Sequence, residues 1–150
     1  MIKHQGGCHC GQIKFTTEYE PLLVPFCNCN KCRKLIGSIS LSCVYAFEEV
    51  TIQGDMLTYD YVGGSGHTVH ANVCNKCYTL VWRQSEAYSD FIFIPVGCFS
   101  DPHAFPPTIE IFNDFKLKWL RDDGCIKTKV ADEGYIERFQ EMIANAERLR

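Results

Sequence analysis

The stretch GGCHCGQIKF, residues 6–15, joins a pair of cysteines to the start of an alternating strand. Cys8 and Cys10 have C-x-C spacing, which lets one turn direct two thiolates at a single metal ion, about 2.3 Å from a zinc. Apolar side chains at Ile13 and Phe15 then alternate with polar ones, the period of a half-buried β-strand. The stretch therefore predicts half of a metal site attached to a strand.

A second half-site is CNKC, residues 74–77, which has C-x2-C spacing. Joining Cys74 and Cys77 to Cys8 and Cys10 gives four thiolates, the ligand count of a closed structural zinc site. Such a site would fasten the N-terminal strand to a hairpin far downstream. We predict this partition of the cysteines.

A third cluster is CNCNKCRK, residues 27–34, which supplies three cysteines from one loop. Three protein ligands are typical of a catalytic zinc site with an open fourth position, so Cys27, Cys29 and Cys32 are predicted to hold a second zinc. Alternatives remain open at this point, because Cys98 or Cys125 would close the site if either lay nearby. Disulfide pairing of the clusters is another alternative, whereas the spacings match neither common ferredoxin pattern.

The bulk composition describes an ordinary globular protein. With 150 residues, 46% hydrophobic and 22% charged, we predict a single domain over residues 1–150. A net charge of -3 gives no general basic field, so we expect no nucleic-acid partner.

The chain begins MIKHQGGCHC, which has no apolar core of a signal peptide, and no apolar run approaches the roughly 18 residues of a membrane span. We therefore expect a cytoplasmic protein without a membrane partner. A reducing cytosol would keep the ten cysteines as thiols, and clustered thiols there indicate metal binding or catalysis.

Short alternating segments recur along the chain and predict a mainly β fold. They cover residues 12–17, 38–45, 50–53, 57–62, 68–73, 79–83 and 91–96. In the second of these, Cys43 shares a face with apolar residues and is predicted to be a buried thiol.

The C-terminal segment 132–150 is different, because its apolar residues recur at helical spacing. Asp132 is the predicted N-cap, and the apolar stripe is predicted to pack on the domain. The stripe consists of Ile136, Phe139, Met142, Ile143, Ala146 and Leu149.

These motifs together resemble the glutathione-dependent formaldehyde-activating enzyme family, also called the centromere protein V/Gfa-like family. The resemblance runs in order from about Gly6 to Trp119. It rests on GGCHCGQIKF, CNCNKCRKLIGS, CNKC before a strand that ends VWR, then VGCFSDP, PPTIEIF and Trp119. It implies a fold of several coiled β-sheets around zinc, called Mss-four-like, and here we add the C-terminal helix.

The resemblance also implies the site and its chemistry. Two zinc ions per chain are expected, one structural at Cys8, Cys10, Cys74 and Cys77 and one catalytic at Cys27, Cys29 and Cys32. The implied activity is that of an S-hydroxymethylglutathione synthase, a carbon–sulfur lyase, in which a zinc-held thiolate of the co-substrate glutathione adds to formaldehyde or a similar small aldehyde. A zinc-bound thiol loses its proton, which makes it the nucleophile.

Two cations beside the third cluster are predicted to attract the carboxylates of glutathione. They are Arg33 and Lys34, and the family pattern also places Arg after the third cysteine. Asp101, Trp119 and Tyr78 are predicted as walls of the pocket.

The sequence departs from the family pattern at three places. Asn28 stands where the family often has His, Tyr78 replaces a glycine, and Cys98 with Phe99 replaces a small residue and Leu. Tyr78 matters most, because a knuckle glycine supplies a positive φ that Tyr adopts only at a cost.

None of these departures removes a ligand, so they bear on substrate and activity more than on fold. Two further functions stay open, because the addition already occurs without a catalyst and because the resemblance extends to non-enzymatic relatives. One is a thiol carrier with the same site and no rate enhancement. The other is a protein-interaction module in which the zinc ions only stabilise the shape.

Overall fold

A computed structural model describes residues 1–150 and contains two β-sheets and two α-helices. The smaller sheet has three antiparallel strands in the order β1-β2-β5, where β1 is His4–Gly7, β2 is Lys14–Thr17 and β5 is Val50–Gln53. Phe15 of β2 is buried between this sheet and the rest of the molecule.

The larger sheet has eight strands. They are β3 (Pro25–Cys27), β4 (Ser40–Ala46), β6 (Met56–Val62), β7 (Thr68–Cys74), β8 (Leu80–Ser85), β9 (Phe91–Pro95), β10 (Ile109–Ile111) and β11 (Thr128–Lys129). Their spatial order is β11-β10-β3-β4-β9-β8-β7-β6. The pairs β10–β3 and β10–β11 are parallel, and the other pairs are antiparallel.

Strand β4 lies in the middle of the larger sheet and is buried on both faces. Cys43 and Tyr45 belong to one core cluster, which lies toward the smaller sheet, and Val44 belongs to a second cluster beneath the C-terminal helix. The predicted buried thiol at Cys43 is confirmed. The alternation in this segment predicts one apolar face and one serine face, and the structure buries the serines as well: Ser40 and Ser42 are both buried.

The mainly β fold with a C-terminal helix is confirmed. The predicted strands 50–53, 57–62, 68–73, 79–83 and 91–96 correspond to β5, β6, β7, β8 and β9 within two residues at each end. Strands β3, β10 and β11 have only two or three residues each, too short to give a periodic signal, and β1, with the sequence HQGG, has no apolar residue to give one.

The first helix, α1, spans Asn30–Ile36 and begins inside a segment that the sequence predicts to be a loop. Cys29 is its N-cap, and the Cys29 sulfur accepts a hydrogen bond from the backbone N–H of Cys32. Cysteine here takes the part that Ser or Asp plays at most helix starts. Gly37, at φ +88°, ends the helix in the left-handed conformation.

The second helix, α2, spans Tyr135–Leu149; the prediction of its N-cap is wrong, and the prediction of its packing face is confirmed for Met142 and Ala146 alone. Its N-cap is Gly134, while Asp132 accepts a hydrogen bond from the Gly134 N–H one turn earlier. The predicted apolar stripe is mostly exposed, with Ile136 at 64% and Phe139 at 43%.

The face of α2 that packs on the sheet consists of Arg138, Met142 and Ala146, spaced four residues apart, of which the first two are buried. Met142 and Ala146 belong to the predicted stripe, whereas Arg138 does not. Hydropathy alone favours Ile136 and Phe139 over an arginine for burial, which is why the pattern misses Arg138. Neither helix is long and apolar enough to cross a membrane.

Tyr78 has the left-handed backbone conformation of the glycine that it replaces. Its φ is +58°, its N–H donates to the carbonyl of Cys74 at 3.0 Å, and its side chain is 68% exposed. The turn between β7 and β8 therefore keeps its shape in spite of the Cβ atom. The exposed ring gains little from burial to offset the strain.

We expect Tyr78→Gly to raise the free energy of unfolding by about 1 kcal/mol. The left-handed conformation costs a residue that has a Cβ atom roughly 1–2 kcal/mol, and glycine avoids this cost. The greater conformational freedom of glycine in the unfolded chain cancels only part of the gain. Urea unfolding of the zinc-loaded protein measures the change. The control is Tyr78→Ala, which removes the ring and keeps the Cβ atom, and an equal gain in both variants would contradict a backbone origin.

Candidate metal centre

The structure brings Cys8, Cys10, Cys74 and Cys77 together at one end of the molecule. Their sulfur atoms all lie within 4.8 Å of one another, with Cys8 and Cys10 at 3.5 Å and Cys10 and Cys74 at 3.8 Å. Four sulfurs bound tetrahedrally at a zinc stand about 3.8 Å apart, from the usual Zn–S length of about 2.3 Å. The cluster therefore fits a closed zinc site.

Two turns position these thiols. Cys8 and Cys10 lie in the turn between β1 and β2, whereas Cys74 ends β7 and Cys77 follows in the turn before β8. Backbone N–H groups support the sulfurs: Ile13 N–H donates to Cys8 at 3.2 Å and Lys76 N–H to Cys74 at 3.4 Å. Such hydrogen bonds stabilise coordinating thiolates.

The structure also brings Cys27, Cys29 and Cys32 together, with all three sulfurs within 4.8 Å of one another. Cys27 ends β3, Cys29 caps α1, and Cys32 lies in its first turn. No other Cys, His, Asp or Glu ligand atom joins this group. Its three sulfurs fit a zinc that has one ligand position left over.

Cys98 and Cys125 do not complete the second cluster. The Cys98 thiol donates to the carbonyl of Leu80 at 3.2 Å, and burial raises its pKa to about 11. Cys125 lies exposed in the segment before β11. The alternative of a second closed site has no support in this arrangement.

A cleft opens over the three-cysteine cluster, and its wall includes residues from the sheet, two loops and the C-terminal segment. Besides the three cysteines it is lined by Pro25, Ser40, Ser42, Tyr61, Gly63, Gly64, Ser65, Val69, Arg83, Ser85, Phe93, Ile111, Phe112, Glu133 and Arg138. Apolar and aromatic side chains thus surround a small set of polar groups, which is typical of small-molecule sites.

Arg83 of β8 is the polar residue nearest to the thiols, and the sequence analysis does not single it out. It is only 6% exposed; its Nη1 atom donates to the Cys32 sulfur at 3.3 Å, its Nη2 atom donates to the Ser42 hydroxyl at 2.9 Å, and its Nε atom has no partner. The sequence does contain a signal for this role. Arg83 lies two positions after Val81, so both side chains point to the inward face of a predicted strand. A charged residue at such a position is rarely buried without a partner.

The three thiols and Arg83 form one electrostatic unit. The thiols of Cys27 and Cys29, and then the Arg83 guanidinium, lower the pKa of Cys32 against the opposing effect of burial. The same thiol contacts, together with burial, raise the pKa of Cys27. Arg83 thus places a fixed positive charge beside Cys32, which favours the thiolate form of that residue.

The loop between β6 and β7 approaches the cluster through backbone alone. A Cβ atom on Gly64 would lie 3.3 Å from the Cys29 sulfur and 3.0 Å from Cζ of Phe112. Phe112 itself has a left-handed backbone with φ +51°. Only a residue without a side chain lets this loop cover the thiols so closely.

Asn28, one of the departures from the family pattern, turns away from the cleft. Its amide Nδ2 donates to the buried Glu110 carboxylate at 2.9 Å and to the Ile111 carbonyl at 3.3 Å. Glu110 also pairs with Lys116 at 3.0 Å. Asn28 thus ties the cysteine loop to β10 and does not take part in the cleft wall.

The predicted glutathione-binding cations, Arg33 and Lys34, do not line the cleft either. Arg33 donates to the carbonyls of Asn28 and Phe115, at 3.0 and 2.6 Å, and to the Asn30 side chain. Lys34 borders a separate surface groove with Lys31 and Tyr59. Arg33 therefore holds the loop that carries the cysteines, and contact of either cation with a thiol ligand stays a prediction.

The residues predicted as pocket walls lie elsewhere. Asp101, Trp119 and Tyr78 are absent from the cleft lining, and all three are exposed. Arg138 of α2 and Glu133 before it occupy part of the wall in their place. Both belong to the C-terminal segment, where the sequence predicts a packing face and no functional group.

A two-sheet β fold with one four-thiol and one three-thiol cluster defines a class of cysteine-rich proteins whose clusters fit zinc. The chain belongs to the glutathione-dependent formaldehyde-activating enzyme family, whose sequence model matches residues 3–114. The predicted resemblance is confirmed.

Comparison with solved structures supports the fold. The chain is similar to the crystal structure of a Rhodobacter sphaeroides protein from a structural genomics programme, with 14% identity and a TM-score of 0.52. The alignment covers 84% of this chain and 98% of the other. No curated protein matches the chain significantly.

We expect Cys8→Ser and Cys29→Ser to have different consequences. A structural zinc contributes folding free energy directly, so Cys8→Ser is expected to unfold the chain. Cys29→Ser is expected to lower the zinc content from two ions to one and leave the circular dichroism spectrum unchanged. Metal analysis of the purified protein measures both contents, and one zinc in the unsubstituted chain would contradict two sites.

Proposed function

We propose that the protein is a zinc-dependent, glutathione-binding protein of the S-hydroxymethylglutathione synthase type, a carbon–sulfur lyase. It promotes addition of the glutathione thiol to formaldehyde or a similar small aldehyde. The observation that carries the proposal is the three-thiol cluster, which has no fourth protein ligand and opens into a cleft. Membership of the family supports it.

The metal and the protein groups divide the chemistry between them. A zinc held by Cys27, Cys29 and Cys32 supplies a position where an incoming thiol binds as a thiolate. Three thiolates outweigh one divalent ion by one negative charge, and Arg83 beside Cys32 offsets that charge. The site therefore tolerates a further anionic sulfur more easily than the thiolates alone would.

The reaction forms one bond and moves one proton. The sulfur lone pair attacks the aldehyde carbon, the C–S bond forms, and the carbon–oxygen π pair becomes a lone pair on oxygen. The proton that the thiol lost ends on that oxygen and gives the hydroxymethyl thioether. Apolar lining residues such as Val69, Phe93 and Phe112 limit the water that competes for the aldehyde.

A protein that only binds glutathione and one that catalyses the addition are expected to differ in the rate at which free glutathione and its formaldehyde adduct exchange. NMR exchange spectroscopy of glutathione with formaldehyde measures this rate. With catalytic amounts of the zinc-loaded protein we expect faster exchange between free glutathione and its hydroxymethyl adduct than in buffer. Cys29→Ser is expected to return the rate to that of buffer. Cys125→Ser is the matched control, since Cys125 is exposed and outside both clusters, and is expected to leave the rate unchanged.

Two results would contradict the proposal and favour the other functions. Saturable glutathione binding with an unchanged exchange rate would indicate a thiol carrier. No glutathione binding by the fully zinc-loaded protein would favour an interaction module in which the clusters are structural.

A further inference from the structure

Helix α2 supplies part of the cleft wall although it lies outside residues 3–114, the region that the family model matches. Its first turns bring Arg138 into the lining that also contains Cys27, Cys29 and Cys32. The helix is fixed there: Met142 is buried in the second core cluster, and the Asn145 amide donates to the Leu22 carbonyl at 2.7 Å. The position of Arg138 is therefore set by a packed element and not by a loop.

The Arg138 side chain is buried and has no anionic partner. It is 8% exposed, and its guanidinium lies over the ring of Tyr88 at 4.5 Å and near that of Phe93 at 5.7 Å. No carboxylate forms an ion pair with it, and the polar group beside its guanidinium is the hydroxyl of Tyr88. Aromatic contacts return only part of the cost of burying such a charge, so its hydrogen-bonding capacity remains available.

The other charged residues of the cleft form no ion pair with Arg138. Arg83 is occupied by the Cys32 sulfur and the Ser42 hydroxyl. Glu133 is the single acidic residue of the lining and forms no ion pair with Arg138. A planar guanidinium that lies on an aromatic ring and has no anionic partner matches a carboxylate better than any other common group.

We propose that Arg138 binds a carboxylate of the thiol co-substrate and makes the cleft selective for carboxylate-bearing thiols over neutral ones. This inference rests on the proposed function, because it takes a thiol to be the ligand of the three-cysteine cluster. It assigns the recognition of the ligand to α2 and leaves Arg33 and Lys34 outside the cleft.

The test compares two small thiols that differ only in charge, 3-mercaptopropionate and 3-mercaptopropionamide. Isothermal titration calorimetry with the zinc-loaded full chain measures both dissociation constants. We expect the unsubstituted protein to bind the carboxylate at least tenfold more tightly. Arg138→Gln is expected to weaken binding of the carboxylate about tenfold or more and leave that of the amide unchanged.

Two further variants separate recognition from structure. Arg148→Gln removes an exposed arginine of the same helix, whose guanidinium donates to Asn145, and is expected to keep the full selectivity. Arg138→Lys keeps the charge and loses the planar fork, so an intermediate selectivity is expected. It also serves as the test variant if Arg138→Gln does not fold.

The outcomes either support or overturn the inference. Undiminished preference for the carboxylate in both Arg138 variants would overturn it, and so would an equal loss of affinity for both thiols, which would mean that Arg138 only supports the fold. If neither thiol binds the unsubstituted protein, the proposed function fails separately. Propionate, which has no thiol, then decides: binding seen by NMR and lost in Arg138→Gln supports the carboxylate site, and no binding overturns it.

Discussion

The four-thiol cluster is the constraint on which the rest of the structure depends. Cys8 and Cys10 come from the three-stranded sheet, while Cys74 and Cys77 flank the β7–β8 turn of the eight-stranded sheet. A metal ion held by these four thiols would therefore fasten the two sheets together over a long stretch of chain. Closing such a long loop carries an entropic cost, and the bonds of a metal cross-link would offset that cost.

With the sheets fastened, the second cluster can remain incomplete. Its cysteines come from one short segment, and their positions are held by β3, by the start of α1 and by Asn28, which is bonded to Glu110. None of these supports requires the metal to have four protein ligands. The four-thiol cluster thus has the ligand count of a structural zinc site, and the three-thiol cluster has that of a zinc site with an open position.

The sequence predicts a large part of this arrangement for identifiable physical reasons. Cysteine spacing is a local property, so the partition into four and three thiols can be predicted from residues 8–10, 27–32 and 74–77. The longer strands are predicted by the period-two alternation of apolar and polar residues. Arg83, Arg138 and Asn28 are harder, because the role of a buried polar residue depends on partners distant in sequence. Arg83 contacts Cys32 from 51 positions away and Asn28 meets Glu110 across 82.

The C-terminal helix shows the same limit in another form. Its hydropathy favours burial of Ile136 and Phe139 beside Met142, yet the tertiary contacts bury Arg138 beside Met142 and leave the other two exposed. Tertiary packing overrides the local pattern here, since an arginine stacked on Tyr88 and Phe93 is compatible with burial that a hydropathy scale does not describe.

The separation of α2 from the metal ligands along the chain has an evolutionary consequence. Every cysteine of the two clusters lies before residue 78, and the helix that reaches the cleft begins at Tyr135. Substitutions in the C-terminal segment can alter the wall above the thiols while the metal-binding segments stay unchanged. With Arg138 in its proposed role, the cluster cysteines and the residue that selects the thiol lie in different parts of this chain, and relatives that share the cluster can diverge in what they bind.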